Sequence, residues 1–166
     1  MSQSDNPYVL VERVRPVPLE DLDALFWKGL TEERLVIQRC PACAAFQWGP
    51  ECVCYRCGSF DLRWTEVPRG ADGRHRGVVY SWERVWHPVD PSLVESVPYV
   101  VVLVELPDTG GVRVLGNIVE PPDGPIPIGA ELMAVFEHHD TYSLLQWRLR
   151  TGAAPIGCRS TTAHRS

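Results

Sequence analysis

The sequence predicts a mainly-β protein: one helix near the N-terminus, a small metal-held ribbon, then a five-stranded barrel. Three observations predict it. Cys40-x2-Cys43 and, ten residues on, Cys54-x2-Cys57 form two evenly built knuckles. Five short runs of Val, Leu and aromatics follow residue 77, each bounded by Pro, Gly or Asp. With 15 Pro and 13 Gly in 166 residues, the chain turns often, as short-stranded proteins do.

The first sixteen residues mix Val, Arg and Pro and read as an extended arm. At Pro18 the pattern changes to PLEDLDALFWKGL. Pro18 suits a first helical turn, and Glu20, Asp21 and Asp23 favour the positive end of its dipole. Leu19, Leu22, Leu25 and Phe26 are expected on one face, with Gly29 as the stop and a further short turn at Thr31. Trp27 lies off that stripe. A helix with apolar residues beyond one face can pack on a partner as well as on its own core. Phe26 and Trp27 are therefore candidate interface residues.

Residues 35–66 form the metal module. LVIQRC leads into the first knuckle and FDLRWTEV leaves the second as a strand. Two C-x2-C pairs offer the four thiolates of a closed tetrahedral shell, so Cys40, Cys43, Cys54 and Cys57 are the expected ligands of a structural zinc ion. The same shell accepts iron. Cys52 makes a poorer knuckle with Cys54 and is read as a non-ligand; Cys158, in a Gly/Ser/Thr-rich tail, is read as free. A ribbon this small cannot fold on apolar burial alone, so the metal is expected to supply much of its stability.

RGADGRHRG, residues 69–77, is a polar connector. The expected division is an arm and helix over 1–34, the ribbon over 35–68, the barrel over 69–150 and a tail over 151–166. The strand runs are Val78–Trp86, Tyr99–Leu106, Val112–Val119, Glu131–Glu137 and Leu144–Leu149. Tyr99 to Leu106 is almost continuously apolar and reads as a central strand. Asp108-Thr-Gly-Gly111 supplies a tight hairpin turn, and Gly129 a bend before the fourth run. No helix interrupts the runs, which fits a small Greek-key barrel of the OB type.

Charge narrows the function. The formal net charge is −5, and acidic side chains outnumber Lys and Arg two to one over residues 76–150, a surface that repels phosphate backbones. MSQSDNPYVLVERVRP has no apolar signal core, which points to the cytoplasm and away from a disulfide framework. No apolar run approaches the roughly 20 residues of a membrane span.

The ordered segments FWKGL, LVIQRCPAC, CYRCGS, GVVYSWERVWHP, PYVVVLVEL, VRVLGNIV and IGAELMAVFE resemble the DUF35 family over about residues 18–150. The resemblance implies a rubredoxin-like zinc ribbon joined to an OB-fold. It also implies a non-catalytic partner of thiolase-like enzymes, either thiolases or lipid-transfer-protein-type aldolases, in acyl-CoA, lipid or steroid breakdown. The small subunit would brace its partner in a hetero-oligomer and border the acyl-CoA site. One departure is visible: Gly49-Pro50-Glu51 stands where the family often has Pro-Pro-Arg, which removes an arginine from that loop.

No catalytic set is legible. His75 sits between Arg74 and Arg76, His87 ends a strand, His138 and His139 precede Asp140, and His164 lies in the tail. There is no nucleophile elbow, phosphate loop or H-E-x-x-H helix. A closed four-thiolate shell has no open position at which to activate water. Arg69, Arg74 and Arg76, with His75, form the one compact basic cluster, readable as a solvated linker or as a clamp for CoA phosphates. Tyr80, Trp82 and Trp86 are expected on one strand face, as core or as a platform for a partner or for bases. The competing reading is a zinc-ribbon/OB single-stranded nucleic-acid binder, which rests on fold analogy.

Overall fold

The computed structural model describes residues 22–88 and 90–150. The helix start at Pro18, Cys158 and His164 lie outside those residues. Helix α1 runs Ala24–Thr31 behind Asp23. Its buried side is Phe26, Gly29 and Leu30, while Leu25 is 51% exposed. The apolar stripe is thus phased one residue later than expected.

Gly29 does not stop the helix. It lies inside it, where a Cβ would come within 2.8 Å of Val36 Cγ2 and of the Arg34 carbonyl. Gly29 is there for close approach, and its carbonyl accepts the Arg34 N–H at 2.8 Å. The chain reverses instead at Glu33, with φ of 55°, so no second helical turn forms after Thr31.

Strands β1 (Val36–Arg39), β2 (Phe46–Gln47) and β3 (Arg63–Glu66) make an antiparallel sheet in the order β2-β1-β3. Strands β4 (Arg76–Val85), β5 (Tyr99–Glu105), β6 (Arg113–Asn117), β7 (Glu131–His138) and β8 (Ser143–Leu149) make the second, in the order β6-β5-β4-β7-β8. All five expected runs are strands. The sheet curls until its edges meet: Ile118 bridges Trp147 in parallel, and the Val119 N–H donates to the Trp147 carbonyl at 2.7 Å. A five-stranded barrel closed through its third and fifth strands is the OB arrangement.

Closure depends on two absent side chains. A Cβ on Gly116 would lie 2.7 Å from the Leu145 carbonyl and from Trp147 Cδ1. One on Gly77 would lie 2.1 Å from Val104 Cγ1. The fully buried Trp147 fits because both positions are bare.

The turns follow the sequence. In the β5–β6 hairpin, Asp108, Gly110 and Gly111 all have positive φ, and the buried Thr109 hydroxyl donates to the Leu106 carbonyl at 2.8 Å. Gly129, with φ of 80°, donates its N–H to the Val79 carbonyl. Beside it the β4–β5 register skips Tyr80, a bulge. The skip breaks the expected aromatic row. Trp82 turns inward and donates Nε1–H to the Ile126 carbonyl at 2.7 Å, whereas Tyr80 and Trp86 are exposed.

Candidate metal centre

Each knuckle is a backbone device repeated with different residues. In the first, the Ala44 N–H donates to the Cys40 carbonyl at 2.8 Å and the Cys40 N–H to Ala45 at 2.8 Å, with Ala44 at φ of 60°. In the second, Gly58 donates to Cys54 at 2.9 Å and Cys54 to Ser59 at 2.8 Å, with Gly58 at φ of 72°. One left-handed residue after each second cysteine folds the chain back and aims both thiols the same way.

The four sulfurs of Cys40, Cys43, Cys54 and Cys57 lie within 4.8 Å of one another. Cys40 Sγ is 3.6 Å from Cys57 Sγ, and Cys43 Sγ is 3.6 Å from Cys54 Sγ. Tetrahedral zinc–thiolate bonds place sulfurs about 3.8 Å apart, so the cradle already has the right size. Its electrostatics also call for a cation. Burial opposes charge on Cys54, but the N–H groups of Arg56 and Cys57 outweigh it and bring the thiol to about 7. At Cys57 the Ser59 N–H favours the thiolate, yet the sulfurs of Cys43 and Cys40 prevail and push it up to about 12. One thiolate suppresses the next until a metal neutralises them. Cys52 is exposed and outside the cluster.

Two buried glutamines hold the second knuckle in place, and their side-chain role was not legible in the sequence. Gln38 on β1 and Gln47 on β2 are register partners, joined by Gln47 Nε2 to Gln38 Oε1 at 2.9 Å. Gln38 exchanges two hydrogen bonds with the Glu51 backbone, at 3.0 and 2.9 Å. Gln47 Oε1 accepts the Tyr55 N–H at 3.2 Å. A polar pair thus stands where a larger domain would place apolar packing, tying the loop before Cys54 to the strands on either side of the first knuckle.

His75 differs from expectation as well. Expected in a basic connector, it is buried, and its Nε2 accepts the Leu35 N–H at 3.1 Å. The lone connector histidine therefore anchors the first residue ahead of β1 to the barrel. Burial, with Arg69 nearby, lowers its pKa from 6.5 to about 4. The arginines around it are largely committed. Arg69 Nε contacts Glu66 at 2.8 Å, and its Nη atoms donate to the Gly73 and Glu33 carbonyls. Arg76 pairs with Asp72 at 3.1 Å. Arg74 is exposed and has no ion pair among the described residues.

Of the two candidate interface residues, the chain's own core takes Phe26, which is 5% exposed and packs its ring 4.2 Å from that of Trp48. Trp27 stays half-buried, its Nε1–H held by Asp23 at 2.9 Å, and lines an apolar groove of ≈ 380 Å³ with Leu115 and Leu144. His138 and His139 point to opposite sides: His138 meets Ser143 and Glu33, while His139 is buried against Glu137 at 2.8 Å. No helix among the described residues is long and apolar enough to cross a membrane.

Comparison with known proteins agrees with this geometry. Residues 27–63 match the family model described as the ChsH2 rubredoxin-like zinc ribbon domain, and residues 72–137 the ChsH2 C-terminal OB-fold domain. A probable enoyl-CoA hydratase alpha subunit of Thermomonospora curvata is 41% identical over 107 residues. Those residues are 64% of this chain but 30% of that protein, so the chain spans under a third of the relative's length. A DUF35 protein of unknown function from Sulfolobus solfataricus shares the fold, with TM-score 0.53 and 16% identity over 76% of this chain and 84% of its own. A chain of the solved Ltp2–ChsH2(DUF35) aldolase superposes with TM-score 0.67 at 34% identity, over 81% of this chain and 98% of that one. With both ChsH2-type domain models matched in order and that relative covered almost end to end, the chain belongs to the DUF35 family.

Proposed function

We propose that this chain is a non-catalytic accessory subunit that docks a thiolase-fold enzyme, a thiolase or a lipid-transfer-protein-type aldolase, and supports its action on acyl-CoA. The observation that carries the reading is the likeness to the Ltp2–ChsH2(DUF35) aldolase, which takes in 98% of the matched chain. The Thermomonospora relative, named as a subunit of an enoyl-CoA enzyme, supports the same substrate class. The four cysteines hold a structural zinc ion, and the closed shell reserves the metal for the ribbon rather than for chemistry. The working division remains the ribbon over 35–68 and the OB-fold over 69–150.

Docking uses the apolar groove that Phe26 and Trp27 both line, with Trp27, the more exposed of the two, as its main contact. Any contact of the connector with CoA phosphates falls to Arg74, because Arg69 and Arg76 already hold carboxylates. Co-expression with a thiolase-like protein from the same organism should yield one heteromeric peak with thiolytic or aldol-cleaving activity, weakened by Trp27→Glu. Separate elution, with the partner fully active alone, would overturn the reading.

A further inference from the structure

The ribbon sheet carries a pairing that its own stability does not ask for. In the β1–β3 ladder Arg39 stands directly opposite Arg63. Cross-strand side chains start about 5 Å apart, and like charges there destabilise a sheet. On the other side Arg39 faces Phe46 of β2, so one row across the sheet reads Phe46, Arg39, Arg63. Thr65 follows two residues after Arg63, on the same face.

Both guanidinium groups are oriented by the chain itself. Arg39 lies over the Phe46 ring at 5.1 Å, and Arg63 is steadied by Asp61 at 3.3 Å. Arg39 has no ion pair among the described residues, and Arg63 has one, with Asp61 just ahead of β3. One positive charge is therefore left over, in a protein whose net charge is −5. The arginines also border a concavity of ≈ 300 Å³, lined further by Cys40, Pro41 and Ala44 of the first knuckle. Two oriented forks beside a pocket that Thr65 also lines, its hydroxyl donating to the Arg63 carbonyl at 3.4 Å and able to rotate, suit a compact oxyanion.

We propose that Arg39, Arg63 and Thr65 form a binding site for a phosphate group, free or as a monoester. A phosphate offers enough acceptor oxygens to meet both guanidinium forks at once, whereas a carboxylate, with two oxygens, fills only one fork. This site is on the ribbon, apart from the connector arginines and the Trp27 groove, and does not depend on the proposed partner.

The test is a titration of the zinc-loaded full chain in phosphate-free buffer, following the arginine Nε–H resonances. Inorganic phosphate should shift those of Arg39 and Arg63 saturably and at one midpoint, with acetate at least tenfold weaker. Phenyl phosphate distinguishes the sources: binding as tight as that of the free ion assigns the site to an ester, and failure to bind assigns it to phosphate itself. Arg39→Gln and Arg63→Gln should each weaken phosphate about tenfold, the loss of one charge-assisted hydrogen bond. Arg113→Gln, whose arginine pairs with Glu105 on the barrel, should bind phosphate unchanged. Shifts that stay linear, that spread over all exposed arginines, or that survive in the Arg39→Gln/Arg63→Gln double variant would overturn the proposal.

Discussion

The ribbon and the barrel are both small antiparallel sheets, yet their interiors are built from different materials. The barrel alternates in textile fashion: Val100, Val102 and Val104 of β5 face inward at 0% exposure and their neighbours face out. The ribbon places Gln38 and Gln47 inside and adds four thiols. An apolar interior tolerates sliding and repacking, whereas a hydrogen-bonded and metal-bound one is correct in a single geometry. The regions are not independent, because Leu35, Ile37 and Val67 at the ribbon's base share one apolar cluster with Val79 and Trp147 of the barrel.

The largest test of that contrast is removal of the metal. Apparent zinc binding in small domains is worth about 10–16 kcal/mol, more than a ribbon of three short strands gains from burial. Chelation, or Cys40→Ser, should collapse amide protection in β1 to β3. The amides of β4 and β5 should stay protected, at reduced overall stability, since the barrel loses the cover of Leu35 and Ile37 but keeps its own core. Hydrogen exchange on the apo and zinc-loaded forms reads both regions at once. Simultaneous loss of all protection would show one cooperative unit and break the comparison.

The reverse test starts in the barrel. Gly77→Ala puts a methyl carbon 2.1 Å from Val104 Cγ1 and 3.2 Å from Trp147 Cζ3, so a fully buried valine or tryptophan must move. Overpacking of this kind costs about 1–3 kcal/mol and sometimes more. The denaturation midpoint should fall accordingly while one zinc per chain is retained. Loss of zinc at the same time would place the clash in the ribbon's support as well.

What was legible in the sequence follows the range of the forces involved. The four ligands and the five strands are written in local code: a two-residue cysteine spacing, a period of two, and Gly or Asp at positive φ, as at Gly58, Asp108 and Gly129. The features that escaped depend on what lies across the fold. His75 sits among arginines and glycines that signal solvent, but Leu35, forty residues away, turns its ring inward. Gln38 and Gln47 look like surface residues of alternating strands until their register makes them partners. The alternation puts Tyr80 on the face of Trp82 because a bulge of one residue leaves no mark in it. Gly29 passed for a helix stop because its reason, the approach of Val36, is a tertiary contact.

The smallest and most selective test is the join between the two regions. Neutral His75 accepts the Leu35 N–H; the protonated ring would face that donor with another. Burial, helped by Arg69 and opposed by Glu66, lowers its pKa from 6.5 to about 4. Between these values the unfolded chain binds a proton that the folded chain refuses. Stability from this group is therefore complete above about pH 6.5 and declines as the pH falls towards 4. Moving from pH 7 to pH 5 should cost on the order of 2 kcal/mol through this one residue. Urea unfolding of the parent and of His75→Gln at both pH values isolates the effect, because the cysteine ligands and the other histidines are common to both proteins. The glutamine variant should start weaker at pH 7, with the Leu35 N–H less well met, and lose less on acidification. Equal losses in the two proteins would mean that His75 takes up its proton while folded, and that ribbon and barrel are joined by apolar contact alone.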